Sequence, residues 1–194
     1  MFKENLCLFL TMKRIKSSKS KFSLKKYIQE KGRVIPIYQC LVADGYADMG
    51  LTAALIIRKQ PSEKYMFASF LIDRYCLGVK SSLCNCNFDE HQLEEIKEGL
   101  RSVGKIEEVN ADYFHNLVYA SIDFAAENGF SPDKDFDLAE RILNPDLIDD
   151  GIDDIEVGKD GKPLFISGPY DNVDSILNTL IKNVGEGGYE FLAL

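Results

Sequence analysis

Between residues 34 and 73 the chain carries three apolar, β-rich runs separated by turn signals. The first, 34–43, reads Val-Ile-Pro-Ile-Tyr-Gln-Cys-Leu-Val-Ala; Pro36 places its start at a sheet edge or a strand entry. Asp44-Gly45 then opens a turn or short loop that lasts through Gly50. The second run, 51–58, is almost wholly apolar, and Gln60-Pro61-Ser62-Glu63 reads as a hairpin connection to the third, 65–73. In that third run Tyr65, Phe67, Ser69, Leu71 and Asp73 share one face, and Met66, Ala68, Phe70 and Ile72 the other. Three such strands with short connections predict an antiparallel meander.

Beyond residue 88 the period changes. Residues 89–103 predict a helix with Asn87 or Asp89 as its cap and a stop before Gly104. The clearest helix is 111–128, where Phe114, Leu117, Val118, Ser121, Ile122 and Ala125 form one continuous stripe. Asn128-Gly129 supplies its stop. Ser131-Pro132 predicts a third helix over 133–143, with Ser131 as cap and acids in its first turn. After an acidic loop, 155–158 and 163–167 predict a hairpin around Asp160-Gly161. Asp171 or Asn172 caps a fourth helix ending near Val184, and a glycine-rich link leads to a short last strand from Tyr189.

Strands are grouped rather than alternating with helices. The expected fold class is therefore α+β: an antiparallel three-stranded meander packed by helices, with a C-terminal hairpin, helix and short strand. The expected organisation is a basic N-terminal arm over 1–33 and a single α+β domain over 34–194, within which 146–194 is a candidate C-terminal subdomain. Residues 1–11 differ in character from the rest, and Met12 is the expected true start. A small hydrophobic anchor is the alternative reading of 1–11.

The 194 residues are 45% hydrophobic and 28% charged, which suits a globular protein with its own core. The net charge of −8 argues against a chain built mainly to hold nucleic acid, but the charge is uneven. Lys13, Arg14, Lys16, Lys19, Lys21, Lys25 and Lys26 gather in the arm, where they offer a contact for nucleic acid or another polyanion. Acids crowd residues 133–160, including Asp149, Asp150, Asp153 and Asp154. No apolar run has the length of a membrane span, so no membrane contact is expected. Five irregularly spaced cysteines without a convincing secretory signal point to free thiols in the cytoplasm.

Residues 70–80 read Phe-Leu-Ile-Asp-Arg-Tyr-Cys-Leu-Gly-Val-Lys, and residues 115–125 read His-Asn-Leu-Val-Tyr-Ala-Ser-Ile-Asp-Phe-Ala. Gly-Lys-Asp-Gly-Lys-Pro at 158–163 runs on to Ser-Gly-Pro-Tyr-Asp at 167–171. In these segments the chain resembles a group of uncharacterised bacterial proteins. The resemblance covers most of the chain from Val34 onward and implies no activity, cofactor or site residue.

Three constellations carry candidate chemistry. Cys76, Cys84, Cys86 and His91 offer the soft ligands of a zinc site, although Cys-x-Cys spacing is atypical and Cys76 lies in an apolar run; unligated thiols, and no cofactor, are the plainer reading. Asp44, Asp48 and Asp73 sit at strand ends, where carboxylates can converge on a divalent cation with Lys80 nearby. Asp44-Gly45 is also simply a turn, and Asp73 beside Arg74 an ordinary ion pair. Asp112, His115, Tyr119 and Asp123 share one side of the main helix, and His115 beside Asp112 has the pKa range of a general acid or base. A half-buried structural histidine is the rival. The signatures of serine hydrolases, phosphate-binding loops and dinucleotide folds are missing, and 149–154 lacks EF-hand spacing.

Two function classes follow. The first is a non-enzymatic binding or regulatory module that contacts another protein. The second is a metal-dependent hydrolase or nuclease built from Asp73, His115 and Asp112. Whether Asp73 and His115 share a cleft separates them.

Overall fold

The computed structural model describes residues 22–148 and 155–193, apart from the side chain of Asp44. Its elements are α1 (Leu24–Lys31), β1 (Ile37–Tyr46), β2 (Leu51–Lys59), β3 (Tyr65–Asp73), β4 (Gly78–Phe88), α2 (Glu90–Arg101), β5 (Ile106–Val109), α3 (Ala111–Glu127), the single turn α4 (Phe136–Ala139), β6 (Leu164–Ile166), α5 (Val173–Val184) and β7 (Glu190–Leu192). The α+β class holds. The meander is longer than expected: β1 to β4 are sequential antiparallel neighbours, and β5 adds to β1, giving the order β4-β3-β2-β1-β5.

Strands β2 and β3 are apolar on both faces because both faces are covered. On one side Met66, Ala68, Phe70 and Ile72 meet α1, α3 and α4 through Ile28, Phe114, Leu117, Val118 and Phe136. On the other, Leu55, Ile57, Tyr65 and Phe67 meet Leu93, Ile96 and Leu100 of α2. The two faces of β3 thus divide as their alternation predicts. Capping sets the helix starts: Asp89 and Gln92 form a capping box on α2, and Asn110 accepts the Tyr113 N–H at the head of α3.

Asp44-Gly45 does not end β1. The register between β1 and β2 shifts between Ala43 and Tyr46, so the pair forms a bulge and the strand continues. Gly45 is needed there because a Cβ would lie 1.9 Å from the Val103 carbonyl oxygen. Residues 24–33 are not part of a separate arm. Ser23 caps α1, and Ile28 is fully buried in the main core.

The expected helix over 133–143 shrinks to α4 followed by the 3-10 turn Glu140–Ile142. Asp133 is diverted: its carboxylate accepts the backbone N–H and the hydroxyl of Ser82 on the edge strand β4.

The C-terminal hairpin is also corrected. The Asp160-Gly161 turn closes with Lys159 donating to the Lys162 carbonyl, but beyond it β6 pairs in parallel with β7, and α5 is the crossover. Residues 155–158 form no strand. The Gly158 and Leu164 N–H groups are instead taken by the Arg74 and Tyr75 carbonyls of the β3–β4 turn, which docks this unit on the sheet. Phe165 and Leu180 seal the junction around Cys76. No helix of the described residues is long and apolar enough to cross a membrane.

Candidate functional site

The β3–β4 turn is where the chain's conspicuous segments converge. Gly78, at φ +66, approaches Ala125 and the Ser121 carbonyl of α3 too closely for any side chain. Asp73 precedes the turn and is 4% exposed. One of its oxygens accepts the N–H groups of Tyr75 and Cys76, both at 3.0 Å, so the carboxylate holds the turn closed. Burial pushes its pKa from 3.8 up to about 6, against the opposing pull of the Lys80 ammonium. Lys80 itself pairs with Asp171 at 2.8 Å, in a half-buried contact between β4 and the C-terminal unit.

Arg74 is not the ion-pair partner of Asp73. Its guanidinium donates to the Glu156 carbonyl and lies 5.5 Å from the Tyr75 ring centroid. Asp48 is exposed in the 3-10 turn Ala47–Met49, and the Asp44 side chain lies outside the described residues, so the strand-end carboxylate cluster reduces to Asp73.

His115 is fully buried on α3. Its Nδ1 faces the Ala111 carbonyl, which can only accept, and its Nε2 accepts the Asn144 N–H at 2.9 Å. The ring is therefore the neutral Nδ1–H tautomer with both nitrogens engaged. Burial also lowers its pKa, which favours the neutral ring further. The neighbouring groups explain this role. Arg33 donates to the Leu143 carbonyl and Arg58 to the Ile142 carbonyl, so two guanidiniums and one imidazole pin the end of the 3-10 turn. Tyr119 donates to Glu140 in the same region.

Asp73 and His115 are not brought together. His115 belongs with Arg58, which pairs across from Met66 at the start of β3. Asp73 is seven residues farther along that strand, a separation of roughly 23 Å. The charged neighbours of Asp73 are Lys80 and Asp171; those of His115 are Arg58 and Asp112. The composite catalytic site of Asp73, His115 and Asp112 is dissolved by this placement.

The cysteine–histidine set is dispersed as well. Cys76 is buried beside Phe165 and Leu180 in the junction, whereas Cys84 and Cys86 pack on the α3 side of the sheet. His91 is exposed on α2 beside Glu95. Among the described residues no three His, Cys, Asp or Glu side chains are grouped to hold a metal ion. Burial pushes the Cys40 and Cys84 thiols up to about 12, the state of inert core residues. In the basic set, Lys25 and Lys26 are exposed on α1; Lys13, Arg14, Lys16, Lys19 and Lys21 lie outside the described residues, as do Asp149, Asp150, Asp153 and Asp154.

The polar groups left unspent lie elsewhere. A cleft of about 350 Å³ opens between the sheet and the N-terminal end of α3. Thr52, Arg74, Glu107, Asn110 and Tyr113 supply its polar wall, and Val42, Val109 and Leu117 its apolar one. The volume falls in the range of small-molecule sites, and the mixed lining is typical of them. Sequence reasoning missed it: Thr52 lies inside an apolar strand run, and Asn110 reads only as a helix cap. Strand β5, which brings Glu107 and Val109, is four residues long and was not expected. No family model matches the chain, and neither the curated proteins nor the solved structures provide a match.

Proposed function

We propose that this chain is a non-enzymatic binding module whose ligand site is the cleft between β1, β2, β5 and the head of α3. One observation carries the reading. The groups with catalytic potential, Asp73 and His115, are spent on holding a turn and a helix end, while the cleft gathers polar side chains around a concave, partly apolar space. A small molecule seated there would touch β1, β5 and α3 together. It would thereby stabilise the free edge of the sheet, a physical route from ligand to a partner protein. Four described cysteines are free, which suits a reducing compartment such as the cytoplasm.

The test is amide-resolved NMR of the full chain against cocktails of small, chemically unbiased fragments. Shifts concentrated at Val42, Thr52, Asn110 and Tyr113 are the expected result. Hits scattered over the surface, or none at these residues, would refute the reading.

A further inference from the structure

We infer that the cleft selects ligands bearing a single carboxylate, and that the carboxylate sits between Arg74, Thr52 and the head of α3. The inference rests on the cleft's being the binding site and adds the chemistry of what it takes.

Thr52 is the first observation. It lies on the α3 side of the sheet, as its cross-strand neighbour Ile72 shows, and it is 5% exposed. It lines the cleft, and among the described residues its hydroxyl makes no side-chain hydrogen bond. The hydroxyl is not among the fully enclosed unpaired atoms, so it opens on the cleft, where a ligand oxygen can take the place of water.

Arg74 is the second. It too lines the cleft and has no carboxylate partner among the described residues. Among the described residues its guanidinium meets the Glu156 carbonyl through one nitrogen and the Tyr75 ring, so the remaining donors keep a planar fork that matches a carboxylate.

The third is the helix itself. α3 runs for 17 residues and its first turn borders the cleft. Asn110 commits its Oδ1 to the Tyr113 N–H, which leaves its amide NH2 as a donor; the helix dipole adds favourable positive potential.

Charge counting then sets the ligand's valence. Glu107 lines the cleft, and Asp112 lies in the first turn of α3. With Glu107 offset by its pair with Lys105, Arg74 is the one cation in the cleft's lining left to meet an anion, and a single positive charge suits a monoanion better than a phosphate dianion. Glu107 is held in an exposed pair with Lys105 at 2.9 Å and can also face a ligand ammonium. Two sources therefore share the chemistry: free α-amino acids and simple short-chain carboxylic acids. The apolar wall of Val42, Val109 and Leu117 suits an aliphatic or aromatic side group in either.

The experiment is titration calorimetry of the full chain, with amide NMR to locate binding. The probes are phenylalanine, leucine, 3-phenylpropionate, 4-methylpentanoate, the uncharged amide of 3-phenylpropionate, and inorganic phosphate. The acid should bind at least tenfold more tightly than its amide, with shifts at Thr52 and Asn110. Thr52→Val should weaken it several-fold, and Arg74→Gln should erase the preference for acid over amide. Tighter binding of phenylalanine than of 3-phenylpropionate assigns the natural source to amino acids; the reverse assigns it to simple acids. Equal binding of acid and amide, stronger binding of phosphate, or binding at the cleft that Arg74→Gln leaves unchanged would overturn the inference. If neutral fragments shift the cleft residues while no acid is preferred, cleft binding stands and the carboxylate chemistry falls.

Discussion

Replacing Asp73 with asparagine tests the turn that joins the sheet to the C-terminal unit. Both N–H groups accepted by Asp73 reach the same oxygen, Oδ1, which an asparagine also possesses. The substitution therefore keeps the hydrogen bonds and removes the charge. A carboxyl pKa raised from 3.8 to about 6 in the folded state means that keeping Asp73 ionised costs about 3 kcal/mol at pH 8. The folded state binds the proton more tightly than the unfolded chain. The cost is thus fully present above pH 6 and is relieved as the pH falls through that value. By pH 4.5 about 2 kcal/mol of it is recovered. Placing an amide NH2 beside Lys80 carries its own penalty of about 1 kcal/mol, the same at every pH, so the difference between two pH values isolates the carboxyl. Urea melts of the parent and Asp73→Asn at pH 8 and pH 4.5 measure it. The variant's stability relative to the parent should be about 2 kcal/mol better at pH 8 than at pH 4.5. An identical difference at both pH values, or one of the opposite sign, would show that the carboxylate is not paying a burial cost and that its charge is needed in the turn.

The other predictions concern the core, the histidine and the arm. Leu117→Ala should cost about 2–5 kcal/mol in a denaturant melt, because Leu117 is 2% exposed in the cluster that joins α3 to Met66 and Phe70; a parent-like melt would remove α3 from the core. His115→Ala should destabilise the fold by about 1–3 kcal/mol through the orphaned Asn144 N–H. The midpoint of the His115 ring titration should lie below the unperturbed histidine value of about 6.5, since burial lowers the pKa. That lowered pKa favours folding above the unfolded value and withdraws its contribution as the pH drops below it; a normal titration would argue for an accessible imidazole. Replacing Lys13, Arg14, Lys16, Lys19 and Lys21 together with glutamine should abolish weak, strongly salt-dependent retention of RNA or DNA in filter binding. Equal retention by parent and variant would remove the arm as a polyanion contact.

Local signals were legible where the chain's own backbone decides the outcome. The stripe from Phe114 to Ala125, the Asp89 cap and the Gln60–Glu63 connection each depend on residues a few positions apart, and each appears as expected. The even division of β3 into two apolar faces also survives, because strand alternation is a property of the backbone. The α+β class follows from the grouping of these elements and needed nothing more. Other outcomes turned on partners far away in sequence. Asp133 looks like a helix acid until Ser82 claims it, and the Asp160-Gly161 turn looks like a hairpin until the Arg74 and Tyr75 carbonyls take the hydrogen bonds that would have built one. Leu24–Lys31 reads as part of a basic arm because its surface is basic, yet buried Ile28, with Leu24 and Tyr27 packed beside it, ties it to the core.

The same physics decided the site. From sequence, an imidazole and two carboxylates at plausible positions spell acid–base chemistry. Only the fold decides whether their lone pairs and protons face substrate or backbone, and here the Ala111 carbonyl, the Asn144 N–H and the Tyr75 and Cys76 N–H groups occupy them. The cleft had no sequence signature because its polar residues are spread over three stretches of chain. Thr52, Arg74 and the 107–113 stretch become neighbours only when β5 pairs with β1 and α3 crosses the sheet. Chain-local hydrogen bonding and side-chain periodicity determined the elements and engaged Asp73 and one nitrogen of His115; long-range packing supplied the Asn144 N–H to the other nitrogen and decided which polar groups line the cleft.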